Sequence, residues 1–453
     1  MKKKWLSIIA LVFCVALVFT GCATVGNVKD ENGKSIYFEE AISFGGHVAE
    51  IGDYLYYGNG YVATSDDEFD YKEASKVAYL SRIDLSENLT FGEDVKGVNI
   101  PHTSPNEIEA VTKGKLVGYE NQDMHLLGEY LYFTSANVHK TDTMENDYSQ
   151  VSLFRVKFNG DGLEEIATFK NDSKSVITLQ KGSDGEYYFV ACVPAEEDYN
   201  IYSVKVGKSV GKVKTLAEKV TSFAVADETS SQRNVIYTVD AEKTQTTISV
   251  KAVDFASGEE TTLDSGVSGS STTLIARIGD RVVYSYKNPE NTAEEIFSKE
   301  INSTNTNFSP TEKFYNATSL ALVEKAYQGF IVKTTGGALV YKTLDGTEEN
   351  LLDSSKYSDY LFTIGDFAYV SNATGIQRVS LVDYSVETVV KDVKMISGEC
   401  GYADGYVYFY AQLGELELDE EESEENEESE KDENYYMYRS DMLGNIQLIG
   451  KRV

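Results

Sequence analysis

His47, His102, His125 and His139 are the whole imidazole supply of this 453-residue chain. No two of them stand in a His-Glu-x-x-His or His-x-His arrangement, the spacing that would bring two imidazoles to one metal, so a zinc hydrolase is not expected. Gly266-Val267-Ser268-Gly269-Ser270 lacks the closing glycine and the strand-to-helix setting of a nucleophile elbow, and reads as a turn. A phosphate-binding loop, a dinucleotide fingerprint and a Cys-x-x-Cys pair are also missing. The 73 Asp and Glu residues are too numerous to single out an acid/base pair. The reading is therefore a non-enzyme, a binding or scaffolding module. The alternative is a propeller-type glycoside-active enzyme working through two of those carboxylates.

The carboxylates do recur in one kind of place. Asp66, Asp67, Glu68 and Asp70 follow one strand-like run, Asp142, Glu145 and Asp147 a second, Glu196, Glu197 and Asp198 a third, and Glu290, Glu294 and Glu295 a fifth. After the last such run, residues 415–433 carry 13 acidic side chains against Lys431, a net of -12. The loops Thr334-Thr335-Gly336-Gly337 and Ser371-Asn372-Ala373-Thr374-Gly375 are short and uncharged. Taken singly, an acidic run is a solvated, low-complexity insertion. Taken together on one face, these loops would steer a cation or a basic partner, an attraction that salt screens. Calcium suits clustered oxygen ligands, and weak binding is the expectation because no loop has EF-hand spacing; no other cofactor is expected.

At the other end of the chain stand Lys2-Lys3-Lys4, an apolar run from Trp5 to Phe19, and Thr20-Gly21-Cys22. This is the order of an export signal, and 15 apolar residues are fewer than the about 20 that span a bilayer. Phe19-Thr20-Gly21-Cys22 resembles the bacterial lipobox, with Phe19 where leucine is usual. The resemblance implies cleavage before Cys22, acylation of its thiol, and a protein held by lipid on the outer face of the bacterial cell membrane. Residues 22–35 then read as a flexible tether. Cys14 leaves with the signal, so only Cys192 and Cys400 remain in the folded part, and no disulfide framework is expected.

The elements that must position the acidic loops announce themselves by repetition. Gly52-Asp53-Tyr54-Leu55-Tyr56-Tyr57 recurs as Gly128-Glu129-Tyr130-Leu131-Tyr132-Phe133 and Asp184-Gly185-Glu186-Tyr187-Tyr188-Phe189. Weaker copies stand at Asn234, Gly279, Gly329 and Gly365, and a further one at Asp404. Gly and Asp permit the reversal, while the aromatic and β-branched residues favour a strand. Both faces of Tyr54-Leu55-Tyr56-Tyr57 are apolar, so the sheet must be covered on both sides. Seven steps over the 352 residues from Gly52 to Asp404 give about 50 residues per unit, near the length of a propeller blade.

The chain is therefore read as all-β, a single β-propeller over residues 36–453 with four-stranded antiparallel blades. Eight is the expected count, and seven the alternative if the copy at Asn234 is not a unit. The strand beginning at Ile36-Tyr37-Phe38 is expected to complete the last blade. The units resemble TolB-like repeats and the low-density-lipoprotein-receptor-like propeller domain of bacterial lipoproteins, a resemblance that implies fold far more than function.

Composition excludes some partners. A formal charge of -32 leaves no basic surface for nucleic acid. With 42% hydrophobic residues, 35 Gly against 5 Pro, and 32 Tyr, the chain is globular. The ligand is read as an unknown protein or glycan, and most tyrosines as packing between blades.

Overall fold

Tyr187–Pro194 shows how the repeat folds, because every residue from Tyr188 to Val193 is buried and the strand is covered on both sides. Such cover requires a sheet packed between sheets. The computed structural model supplies it as an eight-bladed β-propeller of four-stranded antiparallel sheets. The structure describes residues 28–30, 32–43, 48–58, 61–62, 80–85, 94–95, 98–99, 109–110, 124–138, 146–172, 174–240, 247–268, 272–287, 294–301, 308, 312–316, 319–343, 346–391, 393–403, 405–413, 434–441 and 446–448. Blades 1 to 8 occupy 48–110, 125–170, 176–220, 222–268, 272–315, 320–352, 359–390 and 393–448. In each blade the strands A to D follow in chain order, each paired with the next. Asn234–Val239 is strand B of blade 4, so the count is eight rather than seven.

Strand A is innermost. Ser222–Val225 lies beside Thr272–Ile278, which lies beside Leu320–Ala326, and Asp359–Ile364 lies beside Val393–Ala403. Strand D is outermost and correspondingly exposed, as in Val386–Val390. Antiparallel succession puts every A–B and C–D turn on one face, here the lower, and every B–C loop and D–A connection on the upper. The signature glycines sit in the lower turns, Gly52 at φ 58° and Gly128 at φ 65°, a left-handed conformation in which a Cβ is strained.

The hydrophobic core is divided among the interfaces between blades. Tyr188, Val190, Cys192 and Ile201 of blade 3 pack with Val235, Tyr237 and Val253 of blade 4. Leu339, Tyr341 and Leu351 of blade 6 pack likewise with Ala368, Val370 and Val379 of blade 7. Burying each such side chain contributes about 1.5–3 kcal/mol before entropy is counted. Tyr188, Tyr237 and Tyr341 are therefore core residues packed between blades, as expected of the strand tyrosines. Cys192 is a buried free thiol whose pKa desolvation raises.

The N-terminal strand is where expectation fails. Phe38–Ser43 does not complete blade 8; it pairs antiparallel with the inner edge of blade 2, Phe38 opposite Gly128 and Ser43 opposite His125. Its side chains explain the choice. The Glu40 carboxylate pairs with Lys181 at 2.9 Å and accepts a hydrogen bond from the Tyr187 hydroxyl, and the Phe38 ring meets Phe158 edge-on at 5.8 Å. All of these partners belong to blades 2 and 3. Within the segment read as a tether, Val28 is buried, and the Ile36 amide donates to the Val28 carbonyl, closing a small hairpin over residues 28–36. The seam between blades 8 and 1 is closed instead by strand A against strand A, Val393–Ala403 beside Val48–Ile51.

Candidate functional site

The upper face carries the loops expected to bind. Tyr61–Val62, which opens the B–C loop of blade 1, pairs antiparallel with the start of strand C of blade 8, Val62 opposite Asn434 and Tyr61 opposite Tyr435. That pairing holds the strand leading into the loop of Asp66, Asp67 and Asp70 beside the strand that follows 415–433. Asp66, Asp67, Asp70, Asp142, residues 415–433 and Cys22 themselves lie outside the described residues.

The remaining acidic residues are dispersed. Glu196, Glu197 and Asp198 form the B–C turn of blade 3, closed by the Ala195 amide donating to the Asp198 carbonyl at 2.7 Å. Glu196 and Glu197 are exposed. Asp147 lies in strand C of blade 2 opposite Asn137, and Glu294 opens strand C of blade 5 opposite Lys287. Glu295 is turned away from the loop into an ion pair with Lys313 at 2.8 Å. Among the described residues no group of three His, Cys, Asp or Glu side chains is placed to hold a metal ion.

One serine does meet a histidine. Ser43 Oγ lies 2.6 Å from His125 Nδ1, and the buried imidazole stands edge-on to Phe189 at 5.5 Å. A hydroxyl bonded to an imidazole is the geometry of an activated nucleophile. Burial pushes the His125 pKa down to about 3, however, and such a weak base takes up little of a serine proton at neutral pH. The contact fastens the N-terminal strand to blade 2. Because the folded pKa is depressed below the ordinary 6.5, the stability it carries is complete above pH 6.5 and is lost as the pH falls toward 3. Denaturant midpoints should fall by about 2 kcal/mol in equivalent stability from pH 6.5 to 5 for the native protein. They should stay nearly flat over that interval for His125→Asn, and an equal fall in both would refute the assignment.

Sequence reasoning missed the partners of the signature tyrosines. Across the B–C ladder Tyr56 faces Arg82, Tyr132 faces Arg155, Tyr369 faces Arg378 and Tyr408 faces Arg439. Each guanidinium lies over the aromatic ring that opens strand B, at 4.3 Å for Tyr54, 4.2 Å for Tyr130, 4.7 Å for Phe367 and 4.3 Å for Tyr406. Arg155 and Arg378 also pair with strand D, through Glu164 at 2.7 Å and Glu387 at 2.6 Å. Cation–π contact and ion pair together tie strands B, C and D of a blade. The recurrence of Arg in the second strand, as in Leu80-Ser81-Arg82 and Leu153-Phe154-Arg155, is the signal that would have found them.

On the lower face the N-terminal hairpin leaves a cleft of about 270 Å³ lined by Val28, Ile36, Glu129, Lys157 and Phe158. It falls below the about 300 Å³ at which small-molecule sites begin.

No family model and no curated protein matches the sequence. Solved structures of similar fold include puromycin hydrolase, at 11% identity and a TM-score of 0.43 over 76% of this chain and 54% of that one. The propeller domain of the Trilobed protease from Pyrococcus furiosus is similar at 11% identity and TM-score 0.41, over 72% of this chain and 95% of its own. TolB from Acinetobacter baumannii is similar at 9% and 0.31, over 52% and 58%. The chain spans about half the length of the puromycin hydrolase it matches. The expectation of a non-enzyme is corrected here: two of these three proteins are a hydrolase and a protease by name. At such identities the likeness is one of fold, a β-propeller, and it assigns this chain no substrate.

Proposed function

We propose that the chain is an exported bacterial lipoprotein, acylated at Cys22, whose propeller binds a cationic ligand or basic protein partner on its upper face. The anchor is supported by the succession of Lys2-Lys3-Lys4, the apolar run and Thr20-Gly21-Cys22. The binding face is supported chiefly by the pairing of Tyr61–Val62 with Asn434 and Tyr435, which joins the strand before one acidic sequence run to the strand after another. A net of -12 over residues 415–433, with four more carboxylates among residues 66–70, would give an attraction that acts at a distance and weakens with salt. Calcium is the ion whose oxygen preference fits.

Calorimetry tests the reading, with calcium and with a Lys-rich peptide, on the intact protein and on one whose residues 415–433 are replaced by a Gly-Ser linker. At low salt the intact protein should bind at least one of the two, and the replacement should weaken that binding severalfold. Silence from both proteins with both probes would remove the proposal.

A further inference from the structure

The chain enters the propeller through its lower face. Val28 and Ile36 pack against Gly52, in the A–B turn of blade 1, and Tyr37 lies against Gly128, in the A–B turn of blade 2. Cys22 stands six residues before Val28, and six residues reach at most about 20 Å when fully extended. Strands such as Tyr187–Pro194 and Tyr199–Val206, eight residues and about 26 Å long, separate the two faces. A lipid on Cys22 is therefore held nearer the lower face than the upper.

A second observation is independent of the tether. Among the described residues, six of the eight exposed large apolar side chains lie at or beside lower-face C–D and A–B turns: Leu163 in blade 2, Val213 in blade 3, Tyr327 in blade 6, and Val382, Tyr384 and Val386 in blade 7, the other two being Tyr37 and Ile42 of the N-terminal segment. Val382 is the most exposed of them, at 58%. Blades 2 and 3 lie across the ring from blades 6 and 7, so these residues mark opposite sides of one face.

Two of these residues are also held where their side chains are strained. Tyr327 has φ 47° and Tyr384 φ 62°, in the left-handed region. The A–B turns of blades 1, 2, 5 and 7 fill that conformation with Gly52, Gly128, Gly279 and Gly365. Glycine would meet the turn's need in blade 6 as well, yet an exposed tyrosine stands there. The amide of Gln328, beside Tyr327 in the same turn, donates to the Tyr341 hydroxyl at 3.2 Å. Strain kept at exposed positions points to a role outside the fold. Tyrosine is also among the side chains that favour the boundary between lipid and water.

We propose that the lower face of the propeller is its membrane-facing surface, with Tyr327, Val382, Tyr384 and Val386 at the lipid boundary and the acidic upper loops directed away from it. This rests on the acylation of Cys22 proposed above.

The test uses the full acylated chain, with Cys400→Ser, in phosphatidylcholine vesicles. Val382→Cys or Glu197→Cys is labelled with a fluorophore and read against a quencher carried on lipid at shallow depth. Quenching should be severalfold stronger at position 382 than at 197, and adding Tyr327→Gly with Tyr384→Gly should reduce it without lowering the denaturant midpoint. Equal quenching at both positions, or stronger quenching at 197, overturns the orientation. A label at 382 that is shielded from aqueous quencher but untouched by the lipid one would mean a protein partner covers the face, and also overturns it. Palmitate incorporation measured on the same preparation separates the two ideas: its absence removes the anchor itself, whereas its presence with a reversed quenching pattern removes the orientation alone.

Discussion

Arg277→Ala should destabilise the propeller by about 3–5 kcal/mol, the cost of breaking a buried, fully bonded charge site. The guanidinium has no exposed surface and lies between blades 4 and 5. Its Nε donates to the Gly279 carbonyl at 3.0 Å, one Nη to the Asn234 carbonyl at 3.1 Å and also to the Asn234 side chain, and the other Nη to the Gln232 carbonyl at 3.0 Å. Desolvation lowers its pKa to about 10, against the opposing pull of Asp280 and Asp227, so the side chain is still charged at neutral pH. Truncation removes all of these bonds at once: the Gly279 carbonyl keeps the Ser230 hydroxyl at 2.7 Å and the Asn234 carbonyl keeps the Ala226 amide at 3.2 Å, while the Gln232 carbonyl and the Asn234 side-chain oxygen lose the guanidinium donor. Arg277→Lys should fall between the two, since an ammonium keeps the charge but cannot reach all the acceptors at once. Denaturant unfolding measures both variants, and a loss below about 1 kcal/mol for the alanine change would show that the network contributes little.

The same network shows why only part of this molecule is legible in its sequence. The strand-B signatures can be read because their information is local: a turn residue in the left-handed conformation, then alternation that is apolar on both faces. Arg277 carries no such local sign, since its acceptors in blade 4 are supplied by a separate turn. The destination of Phe38–Ser43 was hidden for a similar reason. Strand character in Phe38-Glu39-Glu40-Ala41 is visible, but the choice of blade 2 rests on Lys181, Tyr187 and Phe158, which only the folded ring brings near. Val28 is a single apolar residue in a polar stretch, and periodicity gives one buried side chain no signal.

The candidate binding face divides in the same way. That loops after strand B share a face follows from antiparallel succession alone and was predictable. That Tyr61–Val62 of blade 1 pairs with Asn434 and Tyr435 of blade 8 was not, because two residues are too short a strand to announce a partner. Glu295 shows the opposite error: counted by its position among loop carboxylates, it lies in a strand and is matched with Lys313. Charge counting finds carboxylates and cannot tell which are already paired.

The anchor is the claim on which localisation, orientation and the reach of the binding face all depend, and Cys22→Ser tests it most directly. The thiol sulfur is the atom to which the diacylglycerol would be attached, and serine removes it with almost no change of shape. Cells expressing the native chain are labelled with palmitate and fractionated beside cells expressing the variant. The native protein should carry label and sediment with the membranes, because two acyl chains hold where one would exchange. The variant should carry none, and its folded propeller should keep the same denaturant midpoint. A variant that still incorporates palmitate and stays with the membrane would contradict the account.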